Sequence, residues 1–80
     1  MYFLPEPVSV SFTEGLMSTT LEDGRIITVP IAWYPRLLNA TSAQRLNFEL
    51  SPAGIHWDEI DEDISVEGML IGRNQSRQAA

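Results

Sequence analysis

The sequence predicts a small α+β domain with an antiparallel sheet, and three local patterns support this prediction. Residues 8–13 alternate apolar and polar side chains, as a half-buried strand does. Asp23-Gly24 separates two β-prone runs and is a strong hairpin signal. Thr41 and Gln44 have the spacing of a capping box that opens a helix. The expected order is a three-stranded meander, two short helical turns, a second hairpin and a C-terminal helix.

The loop lengths of the meander decide which side chains share a face of the sheet. Given a two-residue loop at Asp23-Gly24, a two-residue loop at Glu14-Gly15 would put Phe12 and Val29 on opposite faces. A three-residue loop 13–15, with its glycine left-handed in a bulge, would instead gather the apolar side chains on one face. We expect the bulged loop, because one face then holds Val8, Val10, Phe12, Ile27, Val29 and Ile31.

Prolines and a capping signal divide the middle of the chain. Pro30 cannot donate to a strand ladder, so the third strand is expected to lie at an edge or to end there. Pro35 suits a first helical position, and that short turn is expected to end near Asn39. Thr41 then opens a second short helix.

A second hairpin is predicted around Pro52-Ala53. A two-residue loop there places Glu49 opposite His56 on the solvent side, where the glutamate is the expected partner of the imidazole. The opposite face, toward the core, is then formed by Phe48, Leu50, Ile55 and Trp57.

Residues 64–71 fit either a strand or a helix. We expect a helix, because Asp61, Glu62 and Asp63 would then lie in its first turn, where the helix dipole favours negative charge. The chain beyond this segment has no periodicity. We therefore expect a single small domain over residues 1–72 and a frayed tail over residues 73–80.

Composition narrows the classes of partner. The 80 residues include 11 Asp and Glu but only five basic residues, all of them arginine, and the formal net charge is −6. This charge repels phosphate backbones, so we expect no direct nucleic-acid binding and, as a partner, a basic protein. A chain of this length buries little apolar surface on its own, so we also expect a homodimer.

The chain has no cysteine, no apolar run long enough to cross a membrane, and no secretory pattern at its N-terminus. These three observations predict a cytoplasmic protein without a membrane partner.

Patterns for catalysis and metal binding are weak. The sequence contains neither a nucleophile elbow nor a glycine-rich phosphate loop. The alternating acids from Asp61 onward resemble a calcium loop, but Val66 stands where that loop needs glycine and Gly72 where it needs glutamate. One histidine does not satisfy the usual zinc spacings. We expect a protein that is not an enzyme and uses no cofactor and no metal; the alternative is a small-ligand or metal site using His56 and the carboxylates of residues 58–63.

Two segments are candidates for contact with a partner. Trp33 and Tyr34 directly precede a proline and cannot both point inward, so one of them should reach the surface. Arg36 suits a bidentate carboxylate contact, either with the acidic run 61–63 of the same molecule or with a partner. The acidic segment supplies the other candidates, which are His56, Asp58, Asp61, Glu62 and Asp63.

Five motifs follow one another along the chain: DGR at 23–25, WYPRL at 33–37, A-T-x-x-Q-R from 40 to 45, GIHW at 54–57 and DEDISVEGML at 61–70. They resemble a bacterial family of domains of unknown function, and the resemblance covers about residues 8–72. The resemblance implies a small α+β domain with no established enzymatic activity. It also implies a gene that stands alone, is fused to a helix-turn-helix domain, or lies beside a second small gene in an antitoxin-like role.

The leading hypothesis is therefore a non-enzymatic, acidic protein-interaction module that acts as the antitoxin-like member of a toxin–antitoxin-type pair. One alternative is the small-ligand or metal-binding domain. The other is a DNA-associated regulator that acts through a partner.

Overall fold

The computed structural model describes residues 4–72 and confirms the α+β class. One sheet has the order β1-β2-β3 and a second has the order β4-β5-β6, and all neighbouring strands are antiparallel. Short helical segments connect the two sheets, and a helix follows the last strand. The expected tail 73–80 and the first three residues of the expected domain lie outside the described residues. The strands are β1 (Pro7–Thr13), β2 (Leu16–Leu21), β3 (Ile26–Pro30), β4 (Glu49–Ser51), β5 (Gly54–Trp57) and β6 (Glu62–Ser65).

The turn between β1 and β2 differs from the bulged loop that we expected. Thr13 pairs with Leu16, so Glu14-Gly15 is a two-residue loop. Glu14 has φ of 49° and Gly15 has φ of 81°. Two consecutive positive φ angles are what a type I′ turn requires, because its twist matches that of the flanking strands.

The turn between β2 and β3 is one residue longer than expected. The amide of Leu21 donates to the carbonyl of Arg25 at 2.8 Å, which leaves the three-residue loop 22–24. The Asp23 carboxylate accepts from the Arg25 amide at 3.1 Å and from its Nε at 2.8 Å, and these bonds stabilise the longer loop.

The two errors in loop length cancel for the outer strands of this sheet. Phe12 pairs with Met17 and Met17 pairs with Val29, so Phe12 and Val29 share a face as predicted. The central strand is inverted relative to the bulged-loop prediction. That loop would turn Leu16, Ser18 and Thr20 toward the core, whereas in the structure Met17, Thr19 and Leu21 face it. Val8, which was expected on the core face, is 52% exposed beside an irregularity in β1 between Pro7 and Ser9.

The segment between the sheets follows the local signals closely. A 3-10 turn (Ile31–Trp33) leads into α1 (Pro35–Leu38), which ends at Asn39 as expected. The capping box of α2 (Ser42–Leu46) is formed: the Thr41 side chain accepts from the Gln44 amide at 3.1 Å, and the Gln44 side chain accepts from the Thr41 amide at 2.9 Å.

The C-terminal helix starts later than we expected. Residues Glu62–Ser65 form β6, which pairs with β5, and α3 spans Val66–Ile71. The acids 61–63 therefore do not lie in a first helical turn. The physical reason is burial at every second position, because Glu62 and Ile64 point inward and Asp63 points to solvent. Ser65 caps α3 by accepting a hydrogen bond from the Gly68 amide at 2.9 Å.

The core lies between the two sheets and the helical segments, and one buried contact joins distant parts of the chain. Thr19 is fully buried on β2 and donates from its hydroxyl to the Met69 sulfur on α3 at 3.7 Å. No helix among residues 4–72 is long and apolar enough to cross a membrane. The buried apolar side chains are Met17, Leu21, Val29, Ile31, Tyr34, Leu37, Ile55, Trp57, Ile64, Val66 and Met69.

Candidate functional site

The solvent face of the second sheet presents a row of three polar side chains. Glu49 of β4 pairs with His56 of β5, and His56 pairs with Asp63 of β6. The predicted pairing of Glu49 with His56 is thus confirmed. Ile55 and Trp57, which flank the histidine in sequence, are buried on the opposite face, so alternation along β5 turns the imidazole toward solvent.

The side-chain partners of His56 are two aspartates rather than the glutamate that we expected. Its Nδ1 lies 2.6 Å from Oδ1 of Asp63, and its Nε2 lies 3.1 Å from Oδ1 of Asp58. These hydrogen bonds, first with Asp58 and then with Asp63, raise the pKa of His56 above its ordinary value of 6.5. When the ring is protonated, both of its N–H groups donate to carboxylates.

This arrangement bears on the metal-binding alternative. A histidine binds a metal through the lone pair of a ring nitrogen, and both nitrogens of His56 contact a carboxylate. Across residues 4–72, no three His, Cys, Asp or Glu side chains are grouped so that they could hold a metal ion.

The loop from β5 to β6 is held by an arginine from α1. Asp61 has φ of 55° and donates from its amide to the carbonyl of Asp58 at 3.3 Å, which closes a tight turn. The Arg36 Nη1 donates to the main-chain carbonyl of Asp61. Arg36 therefore contacts the acidic segment of its own molecule, but through the backbone rather than through a carboxylate.

Of the two adjacent aromatic candidates, Tyr34 lies in the core and Trp33 is half-buried. Their rings meet edge to face, with centroids 6.5 Å apart. Burial and the nearby charge of Glu62 raise the pKa of Tyr34 to about 12. Glu62 is itself 7% exposed, and one of its carboxylate oxygens accepts from the Asp63 amide at 3.2 Å. Tyr34 and Glu62 are thus interior residues, whereas the other six candidates are exposed or half-buried.

Two exposed carboxylates were not among the candidates for contact with a partner. Glu49 lies in the row with His56, and Glu59 accepts a hydrogen bond from Gln44 Nε2 at 3.0 Å. Counting from the Pro52-Ala53 turn had already placed Glu49 on the solvent side with the histidine, and the alternation of residues 46–50 agrees with this position. We use the term acidic surface for the five exposed carboxylates of this region, which are Glu49, Asp58, Glu59, Asp61 and Asp63.

The arginines next to the acidic surface leave its charge largely uncompensated. Arg36 binds the carbonyl of Asp61. Arg45 binds the carbonyls of Leu37 and Leu38, both at 2.9 Å. Within residues 4–72, neither guanidinium forms an ion pair with a side-chain carboxylate. Among the basic side chains of residues 4–72, His56 is the one that contacts carboxylates of the acidic surface.

Two depressions lie near this region. One of ≈ 220 Å³ is lined by Asp63 together with Ser51, Gly54 and Ser65, among others. A larger groove of ≈ 450 Å³ is not lined by His56. Its lining is formed by Leu4, Glu6, Glu22, Pro52, Ala53, Ser65 and Glu67.

Comparison with known proteins identifies one family and two similar structures. The model of a family described as "Protein of unknown function (DUF2442)" matches residues 7–75. The solution structure of an uncharacterised protein from Chromobacterium violaceum is similar, with a TM-score of 0.76 and 26% identity over 90% of this chain and 70% of that one. A crystal structure of a protein of unknown function from Rhodospirillum rubrum shares the fold, with a TM-score of 0.78 and 22% identity over 92% of this chain and 94% of that one. No curated protein matches the sequence.

Proposed function

Because the chain belongs to the DUF2442 family of proteins of unknown function, we propose a function from its surface chemistry: a non-enzymatic protein-interaction module that binds a basic protein through its acidic surface. The observation that supports this proposal is the set of exposed carboxylates without arginine partners on the second sheet and the loop that follows β5. The formal net charge of −6 acts in the same direction.

The electrostatics of this surface suit recognition more than chemistry. The side chains of Asp58 and Asp63 are 86% and 80% exposed, so water and salt screen them. Catalytic acid–base pairs need groups in different, water-poor surroundings, which hydrated carboxylates do not provide. Clustered exposed charge instead accelerates the encounter with an oppositely charged partner, within a screening length of about 8 Å at physiological salt.

The loop after β5 is well suited to present its charges to a partner. The tight turn that ends at Asp61 is stabilised by the hydrogen bond from the Arg36 guanidinium to the Asp61 carbonyl. A surface that is ordered before binding loses less conformational freedom when a partner docks. The half-buried ring of Trp33, close in sequence to Arg36, adds an aromatic contact of the kind that is enriched in interfaces.

We also propose the finer role of an antitoxin-like protein, with the product of an adjacent gene as the basic partner. In this role the acidic surface would cover a basic region of the second protein. The module would act in the cytoplasm, which its cysteine-free composition supports.

Co-expression of the full chain with the adjacent gene product tests the interaction. We expect the two proteins to co-purify at low salt and to separate as the salt concentration rises. The variant Glu49→Gln/Glu59→Gln/Asp61→Asn removes three charges and leaves the His56 contacts unchanged. It should bind about tenfold more weakly or worse, as loss of complementary charge predicts.

A matched variant removes three carboxylates elsewhere, Glu6→Gln/Glu14→Gln/Glu67→Gln, and has the same net charge. It should bind as the unmodified protein does. If the proteins never co-purify, the interaction proposal is wrong; if both variants weaken binding equally, the acidic surface is not the contact site. The antitoxin-like role has a separate readout: the adjacent gene should slow growth when expressed alone, and this chain should restore growth.

A further inference from the structure

Four strands of the two sheets lie at an edge, and three of these edges have features that oppose pairing with another chain. β1 contains Pro7 and an irregularity between Pro7 and Ser9, and it packs against β4. β4 is three residues long and is followed by Pro52. β6 has the acidic residues Glu62 and Asp63. Prolines, bulges, short length and charge are the devices by which proteins protect sheet edges.

The β3 edge is different, because residues Ile26–Pro30 include no charged side chain. Only Pro30, at its end, lacks an N–H group. Ile26 is 62% exposed and Thr28 is also exposed. An uncharged edge of this kind is a template for an additional strand.

The direction of the β3 backbone groups follows from the ladder. The carbonyl of Arg25 accepts from the Leu21 amide, and the amide of Ile31 donates to the Gly15 carbonyl, so the backbone groups of Arg25 and Ile31 point toward β2. Because the register is regular between these bonds, the polar groups of successive residues point to opposite sides of the strand. The N–H and C=O groups of Ile26 and Thr28 therefore point away from β2. Within residues 4–72, no hydrogen bond to these groups is formed outside the ladder.

We propose that this edge pairs with the β3 strand of a second copy of the chain, antiparallel and about a two-fold axis. With Ile26 of one copy opposite Thr28 of the other, the outward N–H group of each residue donates to the carbonyl of the residue opposite it. An antiparallel strand pair is self-complementary, as a two-fold interface requires. The β1-β2-β3 sheet of one copy then continues into the β1-β2-β3 sheet of the other, and the exposed side chain of Ile26 is covered by its neighbours across the new strand pair.

Charge favours a second copy at this edge over any other part of the surface. Two chains that each have a net charge of −6 repel each other, and the repulsion is weaker where they meet away from carboxylates. The nearest acidic side chain in sequence, Asp23, is bonded to the Arg25 guanidinium at 2.8 Å. This interface does not involve the acidic surface, so it goes beyond the proposed partner binding and does not depend on it.

Sedimentation of the full chain over a wide range of concentrations tests the proposal. We expect a species of twice the 9.0 kDa chain mass that dissociates on dilution. The variants Ile26→Lys/Thr28→Lys and Ile26→Glu/Thr28→Glu place like charges opposite each other across the pair, and each should sediment at the mass of one chain. An equimolar mixture of the two should restore the dimer, because opposite charges then face each other. Restoration also shows that both variants are folded.

A matched control changes the β1 residues that line up with Ile26 and Thr28 across the sheet. Ser9 and Thr20 share a row with Ile26, and Ser11 and Ser18 share a row with Thr28. The variant Ser9→Lys/Ser11→Lys should remain dimeric. The proposal is overturned if the unmodified chain is a monomer at every concentration, if the β3 variants remain dimeric, if the mixture stays monomeric, or if the control dissociates as the lysine variant does.

Discussion

In this protein, Nδ1 of His56 lies 2.6 Å from Oδ1 of Asp63, across two neighbouring strands on the solvent face of the second sheet. The opposite ring nitrogen contacts Asp58, so the imidazole joins a strand to the loop that follows its own strand. The only histidine of the chain is thereby a pH-dependent link within the acidic surface.

The pH dependence of this link has a defined sign. Because folding raises the pKa of His56 above its unfolded value of 6.5, the charged ring stabilises the fold. The stabilisation is complete below pH 6.5 and is lost as the pH rises through the folded-state pKa. We expect the difference in unfolding free energy between the unmodified protein and His56→Gln to shrink over this range. The difference is small at every pH, because solvent screens the group.

Proton NMR titration of the ring measures the same effect directly. The titration midpoint of His56 should lie above 6.5 and should fall in Asp63→Asn. Asp23→Asn removes a carboxylate that is bonded to Arg25 instead, and should leave the midpoint unchanged. A midpoint at or below 6.5 in the unmodified protein would contradict the contacts described for this ring.

Gly54 is predicted to be intolerant of any side chain. A Cβ at this position would lie 2.1 Å from the carbonyl oxygen of Ile64, so β5 and β6 would have to separate. We expect Gly54→Ala to lower the free energy of unfolding by roughly 3 kcal/mol, the upper range for an overpacked interior. Chemical denaturation measures this change.

Gly15→Ala is a suitable comparison, because a Cβ there has no neighbour within 4 Å but φ is +81°. Its cost should be about 1–2 kcal/mol, from backbone strain alone. Equal effects of the two substitutions would show that the close approach at Gly54 does not limit stability.

Tyr34→Phe is predicted to stabilise the protein. The Tyr34 hydroxyl is buried, and no group of residues 4–72 forms a hydrogen bond with it. Removing a buried polar atom that lacks a partner should raise the free energy of unfolding by about 1 kcal/mol. A loss of stability in denaturant titrations would instead indicate that the hydroxyl has a favourable contact in solution.

The same tyrosine should destabilise the fold at high pH. The unfolded phenol loses its proton near its ordinary pKa of 10, whereas the folded one retains it to about 12. Between these values the unfolded state binds fewer protons, so stability falls as the pH rises. Tyr34→Phe should lack this part of the pH dependence, and thermal unfolding measured from pH 9 upward should show the difference.

Arg36→Met is predicted to loosen the loop between β5 and β6. It removes the guanidinium that donates to the Asp61 carbonyl while retaining much of the aliphatic side chain. We expect a loss of about 1 kcal/mol, as for one exposed hydrogen bond. Amide hydrogen exchange should become faster at Asp61, whose N–H closes the turn, and remain unchanged at Gln44 in the capping box of α2.

Local sequence signals accounted for much of the fold and for part of the candidate site. The capping box at Thr41, the end of α1 at Asn39 and the turn at Pro52-Ala53 were all predicted. These features depend on residues a few positions apart, so a short stretch of sequence determines them. The pairing of Glu49 with His56 followed from the turn by simple counting.

Most of the predictions that failed depend on residues far apart in sequence, whereas the loop lengths of the first sheet are local features. Both loop lengths of the first sheet were wrong by one residue, and because the two errors cancel, Phe12 and Val29 share a face as predicted. The third strand of the second sheet was missed, because residues 62–65 become a strand only by pairing with β5. Likewise, Glu49 was the expected side-chain partner of His56, whereas Asp58 and Asp63 are its partners in the structure.

The sequence by itself determined the α+β class, the helix starts with clear caps, the acidic character and the solvent-facing position of His56. The tertiary structure alone decided the inward position of Tyr34, the backbone contact of Arg36 and the unprotected edge at β3. The reason is physical: caps and alternation act over a few residues, whereas burial, charge pairing and edge position depend on which distant segments become neighbours when the core closes.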